Sequence, residues 1–157
     1  MPRNIASEST IQPSIILGLS HVSLVVPDLD VAAARLKEIY GLELGDQKVN
    51  QEQGVRLAYV DLGNARIELM SPLRPDSPVA KFLERNPHGG IHHVCLAVDS
   101  VDAITDAVTR KGVRVLGDGR AQHNVHGERI AFIHPKDFLG TLVELEEKGL
   151  EQQRRGP

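Results

Sequence analysis

Four side chains that can ligate a metal occur at matching positions in two similar stretches of this sequence. HVSLVVPDLDVAAARL begins at His21 and HVCLAVDSVDAITDAV begins at His93, with His, Val, Leu and Val repeated in register. Each half also has a glutamate between two aliphatic residues farther along, Glu68 and Glu144. Two imidazoles and two carboxylates suit a divalent cation, with coordination positions left open for water or substrate. The duplicated pattern therefore predicts a metal site of the catalytic type, built from these four residues.

The alternation of residues along each strand determines which side chains share a face of the sheet. Successive strand residues point to opposite faces, so His21 and Ser23 lie on one face and the aliphatic residues beside them on the other. The aliphatic face suits packing against helices, whereas the face with the histidine suits the lining of a cavity. The same alternation predicts that His93 lies on the cavity face and that its neighbour His92 faces the other way. If the two halves pair about an approximate two-fold axis, the four ligand-type residues converge.

Helix and strand patterns predict the rest of each half. Both copies pass from the first strand through an acidic turn into a helix that ends at a glycine, Gly41 in one copy and Gly112 in the other. The helices have aliphatic stripes, at Leu29, Ala32, Ala33, Leu36 and Ile39 and at Val101, Ile104, Ala107 and Val108. Further strands are expected near 43–49, 55–61 and 66–70, and near 113–116, 129–133 and 141–146. The sequence therefore predicts an α+β fold of two tandem β-α-β-β-β modules.

A linker helix and two polar tails complete the expected organisation. The linker helix begins at Ser77 and Pro78 and turns Val79, Phe82 and Leu83 inward. We expect a flexible tail at 1–14, a single domain at 15–148 and a second tail at 149–157. Within the domain, module one covers 15–73, the linker 74–88 and module two 89–148.

The composition limits the partners and the compartment. The chain has 157 residues, of which 41% are hydrophobic and 25% charged, as in an ordinary globular protein. A net charge of −3, with both signs interspersed, gives no electrostatic footprint for nucleic acid or for an anionic membrane surface. No apolar run approaches the length of a membrane span. Because Cys95 is the only cysteine, no internal disulfide forms, and the cytoplasm is the expected compartment.

Several longer motifs resemble one family. They are SHVSLVVPDLD, EQGVRLAYVDLGNARIELMSPLRPDSPVAKFLERN, GGIHHVCLAVDSVDA, KGVRVL and NVHGERIAFIHPKDFLGTLVELEE. Over residues 18–147 the chain resembles methylmalonyl-CoA epimerases of the vicinal oxygen chelate superfamily, which are related to glyoxalase I. The resemblance implies a glyoxalase-like fold, in which the two modules form one curved mixed sheet around a metal-containing cavity. It also implies a homodimer, an acyl-CoA substrate and a role in propionate metabolism. The family's metal ligands fall on His21, Glu68, His93 and Glu144.

The resemblance also implies a reaction, the interconversion of (R)- and (S)-methylmalonyl-CoA through an enolate. The metal, with Co2+ favoured and Mn2+, Ni2+, Zn2+ or Mg2+ as alternatives, would act as a Lewis acid on the thioester carbonyl and the free carboxylate. Some members have a catalytic glutamate where this chain has Leu57. Our hypothesis is therefore that Glu68 and Glu144 exchange the C2 proton as well as bind the metal. His126 and Gly127 match a family loop near the acyl group and are expected to bind substrate.

Other functions compatible with these residues remain open at this point. A glyoxalase-type isomerase or an epimerase of another acyl-CoA would need the same four ligands, and the shape of the pocket decides between them. A ring-cleaving dioxygenase would use two histidines, one carboxylate and iron, and the fourth ligand argues against it. A metal-free binding module is the alternative from a different class. It predicts the loss of ligand residues at the duplicated positions, whereas all four are present.

Overall fold

The structure, a computed structural model, describes residues 16–149. In chain order the elements are strand β1 (Ile16–Val25), helix α1 (Leu29–Tyr40), strands β2 (Lys48–Asn50), β3 (Val55–Asp61) and β4 (Arg66–Pro72), helix α2 (Pro78–Arg85), strand β5 (Gly90–Val98), helix α3 (Val101–Thr109), and strands β6 (Gln122–His123), β7 (Arg129–Ile133) and β8 (Val143–Glu147). A 3-10 turn at Pro135–Asp137 precedes β8. The tails expected at 1–14 and 149–157 lie outside the described residues, apart from Gly149.

All eight strands form one curled mixed sheet in the order β2-β3-β4-β1-β5-β8-β7-β6. The first strands of the two halves, β1 and β5, pair antiparallel at the centre. Each of them has the last strand of its own half as its parallel neighbour, β4 beside β1 and β8 beside β5. The halves are therefore arranged in a similar way on either side of the centre. The predicted α+β fold of two β-α-β-β-β modules is confirmed.

Helix α1 begins and ends where its sequence signals predict. The Asp28 carboxylate accepts hydrogen bonds from the backbone amides of Asp30 and Val31, at 2.9 and 3.0 Å, and so caps the first turn. Gly41 ends the helix with a φ of +67°, a conformation that glycine adopts without strain. The predicted aliphatic stripe is wrong at its last member, because the final turn of the helix is exposed and Ile39 is 54% accessible there.

Two of the predicted strands are much shorter than expected. The segment 43–49 pairs with β3 only from Lys48 onward. Before Lys48, the segment makes one hydrogen bond to β3, from the Gly45 amide to the Tyr59 carbonyl at 2.8 Å. The segment 113–116 forms one isolated bridge, between Val115 and Ile133. A short strand at 122–123 takes the edge position beside β7 instead. Both errors concern edges of the sheet, where a strand has one neighbour at most.

The two faces of the sheet pack differently. Helix α3 covers an aliphatic cluster of the second half, made of Val98, Val101, Ile104, Ala131, Ile133, Val143 and Leu145. On the opposite face, helix α2 contributes Val79 to a smaller cluster with Val25, Val55, Leu57 and Met70. The linker helix begins at Ser77 as predicted, and Phe82 and Leu83 face this smaller cluster. Within residues 16–149, no helix has the length and apolar character needed to cross a bilayer.

Candidate metal centre

The four predicted ligand residues lie on four adjacent strands and face one point. His21 is on β1, Glu68 on β4, His93 on β5 and Glu144 on β8, and all four side chains are buried. The ligand atoms of His21, Glu68 and His93 all lie within 4.8 Å of one another. The duplication thus supplies one imidazole and one carboxylate from each half of the sheet.

The distances between these atoms match those around a bound cation. The Nε2 atom of His21 lies 3.3 Å from Oε2 of Glu144 and 3.6 Å from Oε2 of Glu68. The Nε2 atom of His93 lies 2.9 Å and 3.7 Å from the same two oxygens. Metal–ligand bonds of about 2.0–2.2 Å put neighbouring ligand atoms about 3.0–3.5 Å apart. The four nitrogen–oxygen distances therefore lie within about 0.2 Å of the spacing in a coordination shell.

Two of these atoms also lack any other partner. His21 Nε2 and Glu68 Oε2 are buried and make no hydrogen bond to the described residues. A buried polar atom without a partner costs free energy, on the order of 1–3 kcal/mol. Both atoms point into the same space between the carboxylates, and a divalent cation there would satisfy them. The donor set and its unpartnered atoms therefore fit a metal ion.

Protonation shows how strongly these groups interact. Burial lowers the pKa of His21, but the Glu144 carboxylate, 3.3 Å from Nε2, and the charge of Glu68 outweigh burial and raise this pKa above its ordinary value. Burial raises the pKa of Glu144, but the bonds from His21 and His93 lower it to about 2. A proton on the imidazole thus balances the carboxylate charge in the metal-free site. A metal ion would take over that balance and displace the proton.

A thiol offers an alternative ligand beside these four residues. His21, Cys95 and Glu144 also form a group whose ligand atoms lie close together. Cys95 is fully buried, and burial together with the charge of Glu144 raises the pKa of its thiol. The neutral thiol is a weak ligand, since metals bind the thiolate. Cys95 is therefore best described as a small buried apolar side chain.

The prediction that His92 faces away from the site is wrong. In the pairing of β1 with β5, Ser23 is opposite His93 and Leu24 is opposite Ile91, so His92 is an extra residue in a bulge. The bulge breaks the strict alternation and turns the His92 ring toward His93, with 2.9 Å between their Nδ1 atoms. Strand alternation alone cannot reveal such a shift.

A second bulge lies beside the other histidine. Leu19 pairs with Leu96 and His21 with Cys95, which leaves Ser20 as the extra residue on β1. Its Oγ lies 3.2 Å from Nδ1 of His21 and donates a hydrogen bond to Oε1 of Glu146 at 2.8 Å.

Glu146 was not among the predicted site residues. The Glu146 side chain is fully buried and also meets Nζ of Lys148 at 3.0 Å and Nδ2 of Asn124 at 3.3 Å. Its position, two residues after Glu144 on the same strand, is the sequence signal that places it on the same face.

Tyr59 is another residue that the sequence did not single out. It stands opposite Glu68 in the pairing of β3 with β4, and its hydroxyl donates to Oε1 of Glu68 at 3.0 Å. Burial and the charge of Glu68 raise the pKa of this phenol, so it remains a donor. The guanidinium carbon of Arg66 lies 4.3 Å from the centre of the Tyr59 ring.

A cavity opens onto the carboxylates and His93. Its lining includes Leu57, Tyr59, Phe132 and His126 together with Glu68, His93 and Glu144. Leu57 is buried and presents an aliphatic side chain to the cavity. The His126 ring lies 5.6 Å from that of Tyr59, whereas Gly127 forms the adjoining turn with a φ of +77° and does not line the cavity. A metal ion held by these residues beside a partly apolar cavity would suit chemistry on a small acidic molecule.

Comparison with known proteins shows the family to which the chain belongs. A family model for the Glyoxalase/Bleomycin resistance protein/Dioxygenase superfamily matches residues 20–132. An ethylmalonyl-CoA/methylmalonyl-CoA epimerase of Cereibacter sphaeroides is 46% identical over 129 residues, which are 82% of this chain and 96% of the relative. The crystal structure of methylmalonyl-CoA epimerase from Mycobacterium tuberculosis superposes with a TM-score of 0.78 at 34% identity, over 97% of both chains. A methylmalonyl-CoA epimerase in complex with methylmalonyl-CoA and NH4+ superposes with a TM-score of 0.76 at 34% identity, over 87% of this chain and 97% of the other. The chain therefore belongs to the glyoxalase/bleomycin resistance protein/dioxygenase superfamily.

Proposed function

We propose that this protein is an epimerase that interconverts (R)- and (S)-methylmalonyl-CoA by moving the proton on C2. The observation that carries the proposal is the convergence of two imidazoles and two carboxylates, of which Glu68, His93 and Glu144 line a cavity. The relatives support the choice of substrate, since one solved structure holds methylmalonyl-CoA and the Cereibacter sphaeroides relative is named for this activity.

The metal ligands in this proposal are His21, Glu68, His93 and Glu144. Their mutual distances of 2.9–3.7 Å and the unpartnered His21 Nε2 and Glu68 Oε2 support the assignment. We favour Co2+, in keeping with the family resemblance. Mn2+, Ni2+, Zn2+ and Mg2+ are the alternatives, because nitrogen and carboxylate ligands together accept all of these ions to differing degrees. Bound there, a divalent ion supplies a Lewis acid that stabilises the negative charge an enolate develops.

The proton is moved by the two carboxylates. Glu68 and Glu144 come from opposite halves of the sheet, on either side of the two histidines, and both line the cavity. One of them, starting as a carboxylate, removes the C2 proton and becomes a carboxylic acid, while the other, starting as a carboxylic acid, delivers its proton to the opposite face and becomes a carboxylate. Leu57 cannot take part because its side chain has no proton to exchange. Exchange with water restores the starting protonation state after each turnover.

The substrate's acyl end is bound by the loop at His126 and Gly127. His126 lines the cavity next to Tyr59, which places it near the carboxylates. Burial lowers the pKa of this imidazole, although the charge of Glu128 opposes that effect. A neutral imidazole can donate one hydrogen bond to the free carboxylate of the substrate, and a turn glycine lets the backbone approach.

We also propose the assembly, the compartment and the domain boundaries. Residues 15–148 form one domain that acts as a homodimer in the cytoplasm and takes part in propionate metabolism. The homodimer is supported by the exposed aliphatic side chains Ile16, Leu19 and Ile91 on the two central strands. The single cysteine, which requires no oxidising compartment, supports the cytoplasm.

The decisive experiment is deuterium exchange at C2. Metal-stripped protein and protein reloaded with Co(II) are each incubated with (R)-methylmalonyl-CoA in deuterium oxide, while proton NMR follows the C2 hydrogen and chiral analysis follows the epimer. We expect exchange and epimerisation only with the metal, and loss of both in His21→Ala and His93→Ala. His88→Ala, which removes an exposed imidazole, is the matched control and keeps full activity.

The opposite results would decide against the proposal. If neither form of the protein exchanges the C2 hydrogen, the chain acts on another substrate or only binds one. Ethylmalonyl-CoA is the second substrate to include, because the Cereibacter sphaeroides relative is named for both acyl-CoA compounds. Exchange that is equally fast in the stripped protein would remove the metal from the reaction.

A further inference from the structure

Each ligand histidine is preceded by the one residue that a bulge leaves without a partner on the facing strand. Ser20 is extra on β1 and His92 is extra on β5, so the two bulges occupy equivalent places in the two halves. A bulge changes the direction of the extra side chain, and here both extra side chains lie against the imidazole that follows them. The equivalent positions indicate that Ser20 and His92 have the same role, and their hydrogen bonds show what that role is.

In the first half, the hydroxyl of Ser20 determines which nitrogen of His21 has the proton. Its single hydrogen points to Oε1 of Glu146, at 2.8 Å. Only a lone pair of the Ser20 oxygen then remains for Nδ1 of His21, at 3.2 Å, so Nδ1 must be the donor. The other ring nitrogen, Nε2, is therefore the one whose lone pair is available to a metal, and it is the nitrogen that faces Glu68 and Glu144.

Glu146 is held so that it can act only through Ser20. Its side chain is fully buried, yet Glu146 is absent from the cavity lining, so it cannot reach a substrate there. Lys148 Nζ contacts its Oε1 at 3.0 Å and Asn124 Nδ2 contacts its Oε2 at 3.3 Å. These donors hold the carboxylate beside the Ser20 hydroxyl.

In the second half, His92 has the place of Ser20. Its Nδ1 lies 2.9 Å from Nδ1 of His93, and its ring packs edge-on against Phe82 with 5.5 Å between the ring centres. Nε2 of His93 already points to Oε2 of Glu144, at 2.9 Å. If Nδ1 of His93 donates and Nδ1 of His92 accepts, Nε2 of His93 also becomes free for the metal. Both halves then present the same nitrogen to the same point.

We propose that Ser20, anchored by Glu146, and His92 are positioning residues that hold the Nδ1–H tautomer of His21 and His93 and so prepare both Nε2 atoms for the metal. This inference rests on the proposed metal ligands, and it adds the residues that orient them. Hydrogen bonds of this kind fix the ring and raise the basicity of the ligand, and their loss typically costs about 10–100-fold in metal affinity.

The test measures metal binding directly, apart from turnover. Co(II) is titrated into the stripped protein by calorimetry, and the visible spectrum of bound Co(II) reports the geometry of its ligands. Ser20→Ala and His92→Leu are each expected to weaken the affinity by about 10–100-fold and to alter the spectrum. Ser20→Thr retains a hydroxyl and His92→Asn places an amide oxygen near the position of Nδ1, so both should remain within a few-fold of the wild type.

Matched controls separate positioning from general destabilisation. Ser77→Ala removes the hydroxyl of another fully buried serine, at the start of α2, whose oxygen has no partner among the described residues, and it should leave the affinity unchanged. His21→Ala removes a proposed ligand and should abolish tight binding. If Ser20→Ala and His92→Leu bind as tightly as the wild type while His21→Ala does not, the positioning role is overturned and the metal site stands. A wild-type chain that binds no Co(II) would overturn both.

Discussion

Tyr59 binds one oxygen of Glu68 and leaves the other oxygen for the metal site. The Tyr59 hydroxyl donates to Oε1 at 3.0 Å, whereas Oε2 lies 3.6 Å from Nε2 of His21 and 3.7 Å from Nε2 of His93. The phenol therefore fixes the rotation of the carboxylate about its last bond. Because Tyr59 reaches Glu68 from the neighbouring strand, this contact is a property of the sheet pairing.

We expect Tyr59→Phe to weaken Co(II) binding by about tenfold, since a hydrogen bond to a charged group contributes about 1.5 kcal/mol or somewhat more. The ring, its packing and its contact with Arg66 all remain. Calorimetric titration of the stripped protein measures the change. Tyr40→Phe is the matched control, because that tyrosine is 69% exposed at the end of α1. Equal affinities of the two variants would show that the carboxylate needs no help from the phenol.

The two carboxylates should each serve one epimer. Glu68→Gln and Glu144→Gln retain a neutral oxygen that can ligate a metal but lose the ability to take up a proton. We expect each variant to keep bound metal and to lose C2 exchange by about 10²–10⁴-fold, with a different epimer of methylmalonyl-CoA affected in each. NMR in deuterium oxide, started from each pure epimer, measures the two rates.

The control for this pair is Glu84→Gln, which changes an exposed glutamate on α2 and should leave both rates unaltered. Metal content is measured for every variant, so that loss of the ion is not mistaken for loss of the base. Variants that keep their metal and exchange both epimers at the wild-type rate would show that the proton moves through another group.

Leu57 should not tolerate replacement by a carboxylate. The side chain is buried and packs in the cluster of Val25, Val55, Met70 and Val79. Leu57→Glu loses these contacts and places a carboxyl group among aliphatic side chains, so we expect the free energy of unfolding to fall by about 3 kcal/mol or more. Leu57→Met, which conserves volume, should lose less than about 1.5 kcal/mol. Urea denaturation of both variants measures the difference, and equal losses would contradict this account.

The fold and the four central side chains could be predicted because they depend on repetition and alternation. Two copies of one strand-helix pattern gave the modules, and the matching positions of His21 and His93 selected one residue from each first strand. Glu68 and Glu144 followed in the same way from the last strands. In a repeated unit, each position is supported by its counterpart in the other copy. A single histidine or glutamate has no such support.

The remaining features depend on pairing between distant segments. The bulge at His92 exists only in relation to β1, so the local sequence HH offers no sign of it. Ser20 and Glu146 are joined across the sheet at 2.8 Å although they lie at opposite ends of the described chain. The length of the edge strand β2 was predicted wrongly for a related reason. Local propensity does not show over how many residues β2 pairs with β3.

The glycine just before β5, Gly89, should be far more sensitive to substitution than a glycine of the same conformation elsewhere. Gly89 and Gly112 have the same φ of +86°, so alanine meets the same backbone strain at both positions, about 1–2 kcal/mol. At Gly89 an added Cβ would also lie 2.4 Å from the carbonyl oxygen of Val25, whereas at Gly112 it meets nothing within 4 Å. The Val25 carbonyl cannot retreat freely, because Val25 pairs with Gly90 where β1 and β5 meet.

We therefore expect Gly112→Ala to lower the free energy of unfolding by about 1–2 kcal/mol and Gly89→Ala to lower it by about 3 kcal/mol or more, because the clash adds to the strain. Urea denaturation measures both losses, and the dependence of the unfolding free energy on urea concentration should be the same in the two variants. Co(II) affinity should fall only in Gly89→Ala, since β5 also positions His93. Equal losses of stability in the two variants would contradict this account, because they would mean that β1 and β5 separate easily at this end. In that case the metal affinity of Gly89→Ala would remain at the wild-type value.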